Sequence, residues 1–293
     1  MSEPAPPHAH EDPTLFAEAV RFTAASSQFD PRLVEKDYFC TLVIQHLAVA
    51  DALVFKGGTC LAKVHAGFYR LSEDLDFTIP IAFDATRGQR RAGIAPVKPA
   101  LVGLPARVAA LRVAAPLVGA NNSTQYIAIL AYTSLLSGRE ESIKIEVALR
   151  EPLLVEPTAA EAASILLDPL TGQPIVPAVP VRCIARIEAY AEKLRAALSR
   201  RGAVIRDFFD VDYAVRTGVL EVDDHRLLSL VRAKLAVPGN TPVDVSPARL
   251  ATLRQQLDAN LRPVLRPADF AAFDLDRAFK IVSDVAATLG KAR

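Results

Sequence analysis

The sequence predicts an α+β protein, with strands gathered in the first 180 residues and helices behind them. Two observations carry this. Apolar and polar residues alternate in short runs at 52–56, 75–79, 126–136 and 142–149, the period of a half-buried strand. Beyond Val181 the apolar residues Ile184, Ile187, Ala191, Leu194 and Leu198 follow the period of a helix instead.

In chain order, residues 1–13 hold Pro4, Pro6, Pro7 and Pro13 with His8 and His10, a composition that predicts a disordered tail. Pro31, then Leu33, Val34, Tyr38, Leu42 and Leu47, predict an amphipathic helix over 31–50. A strand at 52–56, a tight turn at Gly57-Gly58, a helix at 59–67 and a strand at 75–79 follow. Proline and glycine break most patterns over 80–120, with room for a short helix at 105–113. Ser137-Gly138 join the strands 126–136 and 142–149 as a hairpin. The segment 152–180 carries six of the 21 prolines and reads as a linker. The expected organisation is a tail (1–13), a core (14–180) and a helical C-terminal domain (181–293).

Composition excludes several classes. A chain of 293 residues, 51% hydrophobic and 23% charged, is neither disordered throughout, fibrous nor a disulfide miniprotein. A net charge of +1 gives no global nucleic-acid signal, so any basic surface must be local. Cys40, Cys60 and Cys183 are odd in number and form no CxxC pair, which predicts a reducing, cytoplasmic setting without disulfides or structural zinc. The most apolar long stretch, 102–120, is broken by Pro105, Arg107, Arg112 and Pro116, so no membrane span is expected. The N-terminus lacks the layout of a signal peptide.

Three constellations carry chemistry. The first is Lys56-Gly57-Gly58-Thr59 followed by Ser72-Glu73-Asp74-Leu75-Asp76. Glycines between a strand and a helix let main-chain N–H groups approach a phosphate, although a turn, a helix N-terminus or plain close packing is the commoner reason for such a pair. Asp74 and Asp76, two apart on a strand, face the same way and can share hard cations. In the second, Lys144 and Glu146 share a face while Ile143, Ile145 and Val147 take the other. Glu146 is thereby a third candidate carboxylate, and Lys144 either a phosphate ligand or the partner of a cross-strand salt bridge. The third is Glu188, Lys193, Arg206, Asp207 and Asp210. Residues 182–216 hold eight basic residues against five acidic, and Arg182, Arg186, Lys193 and Arg200 fall opposite the apolar stripe, a face suited to a triphosphate or an RNA backbone. Ser72 is open to two readings. Its hydroxyl either closes the turn or seats a triphosphate, in which case phosphorylation would add about −1.5 to −2 charges beside two carboxylates.

Taken jointly, Glu35-Lys36-Asp37-Tyr38, Lys56-Gly57-Gly58-Thr59 with Leu61 and Lys63, Leu71-Ser72-Glu73-Asp74-Leu75-Asp76, Lys144-Ile145-Glu146-Val147, Glu192-Lys193-Leu194-Arg195 and Arg206-Asp207-Phe208-Phe209-Asp210 resemble the AbiEii/AbiGii-type nucleotidyltransferase toxins, including the mycobacterial MenT proteins. The resemblance implies a DNA-polymerase-β-like nucleotidyltransferase core and a helical C-terminal domain. It implies a toxin, paired with an AbiEi-type antitoxin, that moves a nucleotide from an NTP onto RNA at the tRNA 3′ acceptor end and so blocks translation. By position, Gly57, Gly58 and Thr59 would hold the triphosphate and Asp74 with Asp76 the Mg²⁺ ions. Lys193 would neutralise phosphate charge and Asp210 would supply a further catalytic acid. Two other readings compete: a catalytically silent protein of the same fold that binds antitoxin or RNA, and a nucleotidyltransferase acting on an antibiotic-type small molecule.

Overall fold

The computed structural model describes residues 8–291. The chain divides into two units, one built from residues up to Arg150 with Ala159–Cys183, the other from Glu151–Thr158 with Ile184–Arg293.

The first unit opens with helices α1 (Pro13–Ser27) and α2 (Pro31–Leu47). Both begin with an aspartate cap and a proline. Asp12 accepts from the Thr14 and Leu15 amides at 3.1 Å, and Asp30 accepts from the Arg32 amide at 2.8 Å. Pro13 and Pro31 occupy the first turn, where a missing N–H costs nothing. Residues 1–7 of the expected tail lie outside the described residues, but its remainder departs from the reading. Ala9–Glu11 form a 3-10 turn, and buried His10 places Nδ1 2.8 Å from the Tyr38 hydroxyl and its ring 5.4 Å from that of Phe39. Aromatic partners 28 and 29 residues away supply a burial that local composition does not reveal.

Next come β1 (Val54–Lys56), α3 (Gly57–Cys60) running into a π-helical turn (Leu61–His65), β2 (Leu75–Thr78), α4 (Arg87–Ile94), α5 (Val97–Gly103), β3 (Arg112–Ala120), β4 (Gln125–Thr133), β5 (Glu140–Ala148), β6 (Thr158–Ala162) and β7 (Val179–Cys183). The seven strands form one sheet in the order β3-β4-β5-β2-β1-β7-β6. It is mixed: β1–β2, β3–β4 and β4–β5 are antiparallel, while β2–β5 and β1–β7 are parallel. α2 is buried on nearly all sides, from Leu33 to Ile44.

Three expectations are corrected here. The helix expected at 59–67 begins at Gly57 and widens into the π turn. The helix expected at 105–113 shrinks to a 3-10 turn at Leu104–Ala106, and the residues after it form β3, an edge strand on which Pro116 is tolerated because one side needs no ladder. The proposed linker 152–180 contains β6 and the first two residues of β7, so part of it belongs to the sheet.

The second unit holds α6 (Arg186–Ser199), α7 (Ile205–Arg216), α8 (His225–Leu235), α9 (Pro247–Arg254), α10 (Pro267–Ala272) and α11 (Leu275–Lys291). Ile184, Ala191, Leu194 and Leu198 are buried as expected, and Ile187 is half-buried. Buried Arg249 donates to the carbonyls of Ala197 and Arg200 at 2.9 and 3.1 Å, satisfying acceptors that the end of a helix leaves open.

Candidate active site

The strand register brings the first two constellations together. Asp76 lies opposite Lys56 on β1 and opposite Glu146 on β5. Directly paired residues point to one face, so Lys56, Asp76 and Glu146 form a row across three adjacent strands. Leu75 and Phe77 fill the other face, the Phe77 ring lying 5.3 Å from that of Phe55. Asp74 immediately precedes β2.

Lys144 Nζ stands 3.3 Å from Glu146 Oε2 and 3.9 Å from Asp74 Oδ2. Burial works against its charge, but Asp74, Glu146 and Asp76 together outweigh that and hold its pKa above the ordinary lysine range. Asp76 shows the complementary effect. Burial and then the charge of Glu146 push its carboxyl up to about 6, against the opposing pull of Lys56. The row is thus short of positive charge, and its hard oxygen donors suit a hard divalent cation.

The glycine turn lies against this row. Gly57 adopts φ +77°, and a Cβ on it would stand 2.2 Å from Asp76 Oδ2. Both the conformation and the contact require glycine. A Cβ on Gly58 would stand 2.6 Å from Arg70 Nη2 and 3.1 Å from Ser72 Oγ, which puts Ser72 against the turn as the sequence suggests. The buried Thr59 hydroxyl donates to the main-chain oxygen of Asp74, tying the turn to β2 and leaving the Thr59 main chain for a phosphate. Arg70 is a residue that sequence reasoning missed. Its guanidinium is buried beside Gly58 and donates to the Leu71 carbonyl at 3.1 Å, yet in a chain of 25 arginines nothing marks it out.

The Glu35-Lys36-Asp37-Tyr38 motif is tied to the segments around the site through its charged side chains. Glu35 accepts from Ser134 Oγ at 2.6 Å and the Leu135 amide at 2.7 Å; burial raises its pKa against those bonds. Lys36 reaches Glu73 at 2.9 Å, next to Asp74. Asp37 pairs with Lys63 of the π turn at 2.8 Å.

In the second unit, Lys193 Nζ sits between Asp207 Oδ1 at 2.9 Å and Asp210 Oδ2 at 2.8 Å. The expected basic face is therefore reduced. Lys193 is ion-paired, Arg182 belongs to β7 rather than α6, and Arg200 lies 3.4 Å from Asp207, although Arg182, Arg186 and Arg200 are all exposed. Glu188 accepts from the Leu154 and Val155 amides and pairs with buried Lys234 at 2.7 Å, so it is a structural anchor.

The mixed sheet with its acidic row beside a glycine turn has the fold of known nucleotidyltransferase structures. MenT4, a nucleotidyltransferase toxin of Mycobacterium tuberculosis, aligns with a TM-score of 0.52 at 20% identity over 93% of this chain and 98% of its own. A Helicobacter pylori nucleotidyltransferase structure aligns at 0.52 with 16% identity over 90% and 99%, and JHP933 of the same species at 0.50 with 17% identity over 90% and 94%. No curated protein matches by sequence. The family described as nucleotidyl transferase AbiEii toxin, Type IV TA system, matches residues 42–281, and the chain belongs to that family. It is a toxin nucleotidyltransferase, and membership implies an NTP substrate and an antitoxin partner. Among the described residues no helix is long and apolar enough to cross a membrane.

Proposed function

We propose that this toxin transfers a nucleotide from an NTP to RNA, at the 3′ acceptor end of tRNA, and so blocks translation until an AbiEi-type antitoxin restrains it. The observation that carries the reading is the strand register, which sets Lys56, Asp76 and Glu146 side by side against Gly57. The main chain of Gly57, Gly58 and Thr59, with Lys56, Lys144 and Ser72, would bind the triphosphate. Asp74, Asp76 and Glu146 would hold Mg²⁺, which when bound offsets the charge that builds up on the phosphates. The RNA 3′-hydroxyl oxygen attacks the α-phosphorus. A P–O bond forms as the bond to the departing pyrophosphate breaks, and Glu146 accepts the hydroxyl proton. Lys193, oriented by Asp210, would neutralise phosphate charge.

One observation favours a second reading, transfer to an antibiotic-type small molecule. Pairing of Lys193 with two aspartates leaves less free basic surface for an RNA backbone. Incubation with total tRNA and, in parallel, with an aminoglycoside, each with every labelled NTP in turn and Mg²⁺, separates the two. Label on tRNA supports RNA transfer; label on an aminoglycoside but never on RNA refutes it. Asp76→Ala should abolish either activity without unfolding the protein.

A further inference from the structure

We propose that Cys60, His65 and Cys183 form a zinc site, separate from the carboxylate row. One ligand atom of each residue lies within 4.8 Å of the other two. Each residue ends an element: Cys60 closes α3, His65 closes the π turn and Cys183 closes β7. Both cysteines are fully buried and neither is in a disulfide. His65 is half-buried, which leaves an approach from solvent for the ion and for a water molecule as fourth ligand.

The donor chemistry selects the ion. Two thiolates and an imidazole suit zinc, whereas Mg²⁺ takes oxygen ligands. The geometry is near what zinc requires. Tetrahedral bonds of about 2.3 Å to sulfur and about 2.0 Å to nitrogen place the donor atoms roughly 3.5–3.8 Å apart. Closing the cluster therefore takes about an ångström, a change that side-chain rotation can supply. Binding converts two thiols to thiolates and releases their two protons to solvent.

The absence of a CxxC pair argues against zinc only for ligands adjacent in sequence. Here the fold assembles the set in two ways. The parallel pairing of β7 with β1 places Cys183 opposite Phe55, two residues before the glycine turn. In an α-helix, residues five apart point about 140° away from each other; the π turn, with Ala66 donating to the Leu61 carbonyl five residues back at 2.8 Å, turns His65 back toward Cys60. An ion held there would tie β7 to the segment that continues from Gly57-Gly58-Thr59. Its role would be to position the phosphate turn.

Full-length protein, reduced, loaded with Zn²⁺ and passed over a chelating resin, should retain about one zinc per chain by elemental analysis. Loading with Co²⁺ should give visible d–d bands and a near-ultraviolet thiolate charge-transfer band. Cys183→Ser and His65→Ala should lose both signals, while Cys40→Ala, at a buried cysteine outside the cluster, and Asp76→Ala, in the carboxylate row, should keep them. Circular dichroism establishes that each variant is folded, and His65→Ala, at the least buried position, serves if Cys183→Ser is not. Wild-type protein that keeps no zinc overturns the proposal, as does zinc retained equally in Cys183→Ser and His65→Ala, or lost in Asp76→Ala. A Cys60–Cys183 disulfide formed under oxidation, with no zinc bound under reduction, also overturns it.

Discussion

Replacing Gly57 with alanine probes the link between the phosphate turn and the acidic row. Two costs add. Alanine at φ +77° pays roughly 1–2 kcal/mol for a left-handed backbone. The new Cβ would also stand 2.2 Å from Asp76 Oδ2 and 2.7 Å from Asp76 Cβ, so rotating the carboxylate away does not relieve the clash and the strand must shift, at about 1–3 kcal/mol. The total of about 2–5 kcal/mol corresponds to a melting temperature lower by roughly 4–20 °C for a unit of this size. Gly138→Ala is the control: Gly138 has φ +68° with nothing within 4 Å of its Cβ position, so only the backbone cost applies. The difference between the two variants, read by calorimetry, isolates the contact with Asp76. Because the displaced group is the central carboxylate, nucleotide transfer should fall about a hundredfold or more, the usual consequence of a 1 Å misplacement. A Gly57→Ala protein that melts with Gly138→Ala and transfers at the wild-type rate would refute the reasoning.

Asp76→Asn should abolish transfer without lowering the melting temperature in metal-free buffer, because it removes a charge that burial and Glu146 oppose; a marked loss of stability would contradict the crowded row. Lys234→Met should cost about 3–5 kcal/mol, since it leaves Glu188 and Glu192 without their buried cation, and urea titration measures this. Burial raises the Glu73 carboxyl, but Lys36 and Arg32 outweigh it and hold its pKa below the ordinary value. The stability this confers is complete above the unfolded glutamate pKa and disappears as pH falls through the folded one, so Glu73→Gln should destabilise at pH 7 and match wild type in acid. Lys193→Met should lower both stability and transfer, whereas Lys193→Met with Asp207→Asn should recover part of the stability and none of the transfer; recovery of transfer would remove Lys193 from the phosphate-binding role.

The acidic row was legible in the sequence because strand alternation has a period of two, so Asp76 and Glu146 each declare their face without reference to the rest of the fold. What put them side by side, the parallel register of β2 with β5, was not legible, since the strands lie about seventy residues apart. β3 escaped detection for a different reason. Its residues are small, mostly solvent-facing and interrupted by Pro116, features that an edge strand tolerates and a periodicity argument rejects. β7 was hidden by Pro180 and by the proline-rich approach to it, and with it went the position of Cys183. In α2 an amphipathic pattern was expected, yet Glu35, Lys36 and Asp37 are all buried. Their partners at 134, 73 and 63 come from other elements, and a one-sided helix pattern carries no information about them.

Lysine usage shows how a sequence signal can be sound while its meaning shifts. The chain uses nine lysines against 25 arginines, and five of the nine, Lys36, Lys56, Lys63, Lys144 and Lys193, fall in or beside the motifs, which from sequence suggests cations reserved for phosphate. In the structure Lys36, Lys63, Lys144 and Lys193 face carboxylates, at Glu73, Asp37, Asp74 with Glu146, and Asp207 with Asp210, while Lys56 offsets the charge of Asp76. An ammonium is a compact point charge with three donors, as Lys63 shows against Asp37, the Thr41 hydroxyl and the Ala163 carbonyl, whereas the buried guanidinium of Arg249 spreads its donors over several main-chain carbonyls. A point charge serves a carboxylate as well as a phosphate, so the lysine signal does not tell the two apart. Lys144 meets both descriptions. It now balances Asp74 and Glu146, and a divalent cation arriving at those carboxylates would weaken that hold and free the ammonium for the triphosphate. Lys144→Met should therefore raise the KM for NTP more than it lowers kcat, and a variant with an unchanged KM would leave Lys144 a cross-strand salt bridge and nothing more.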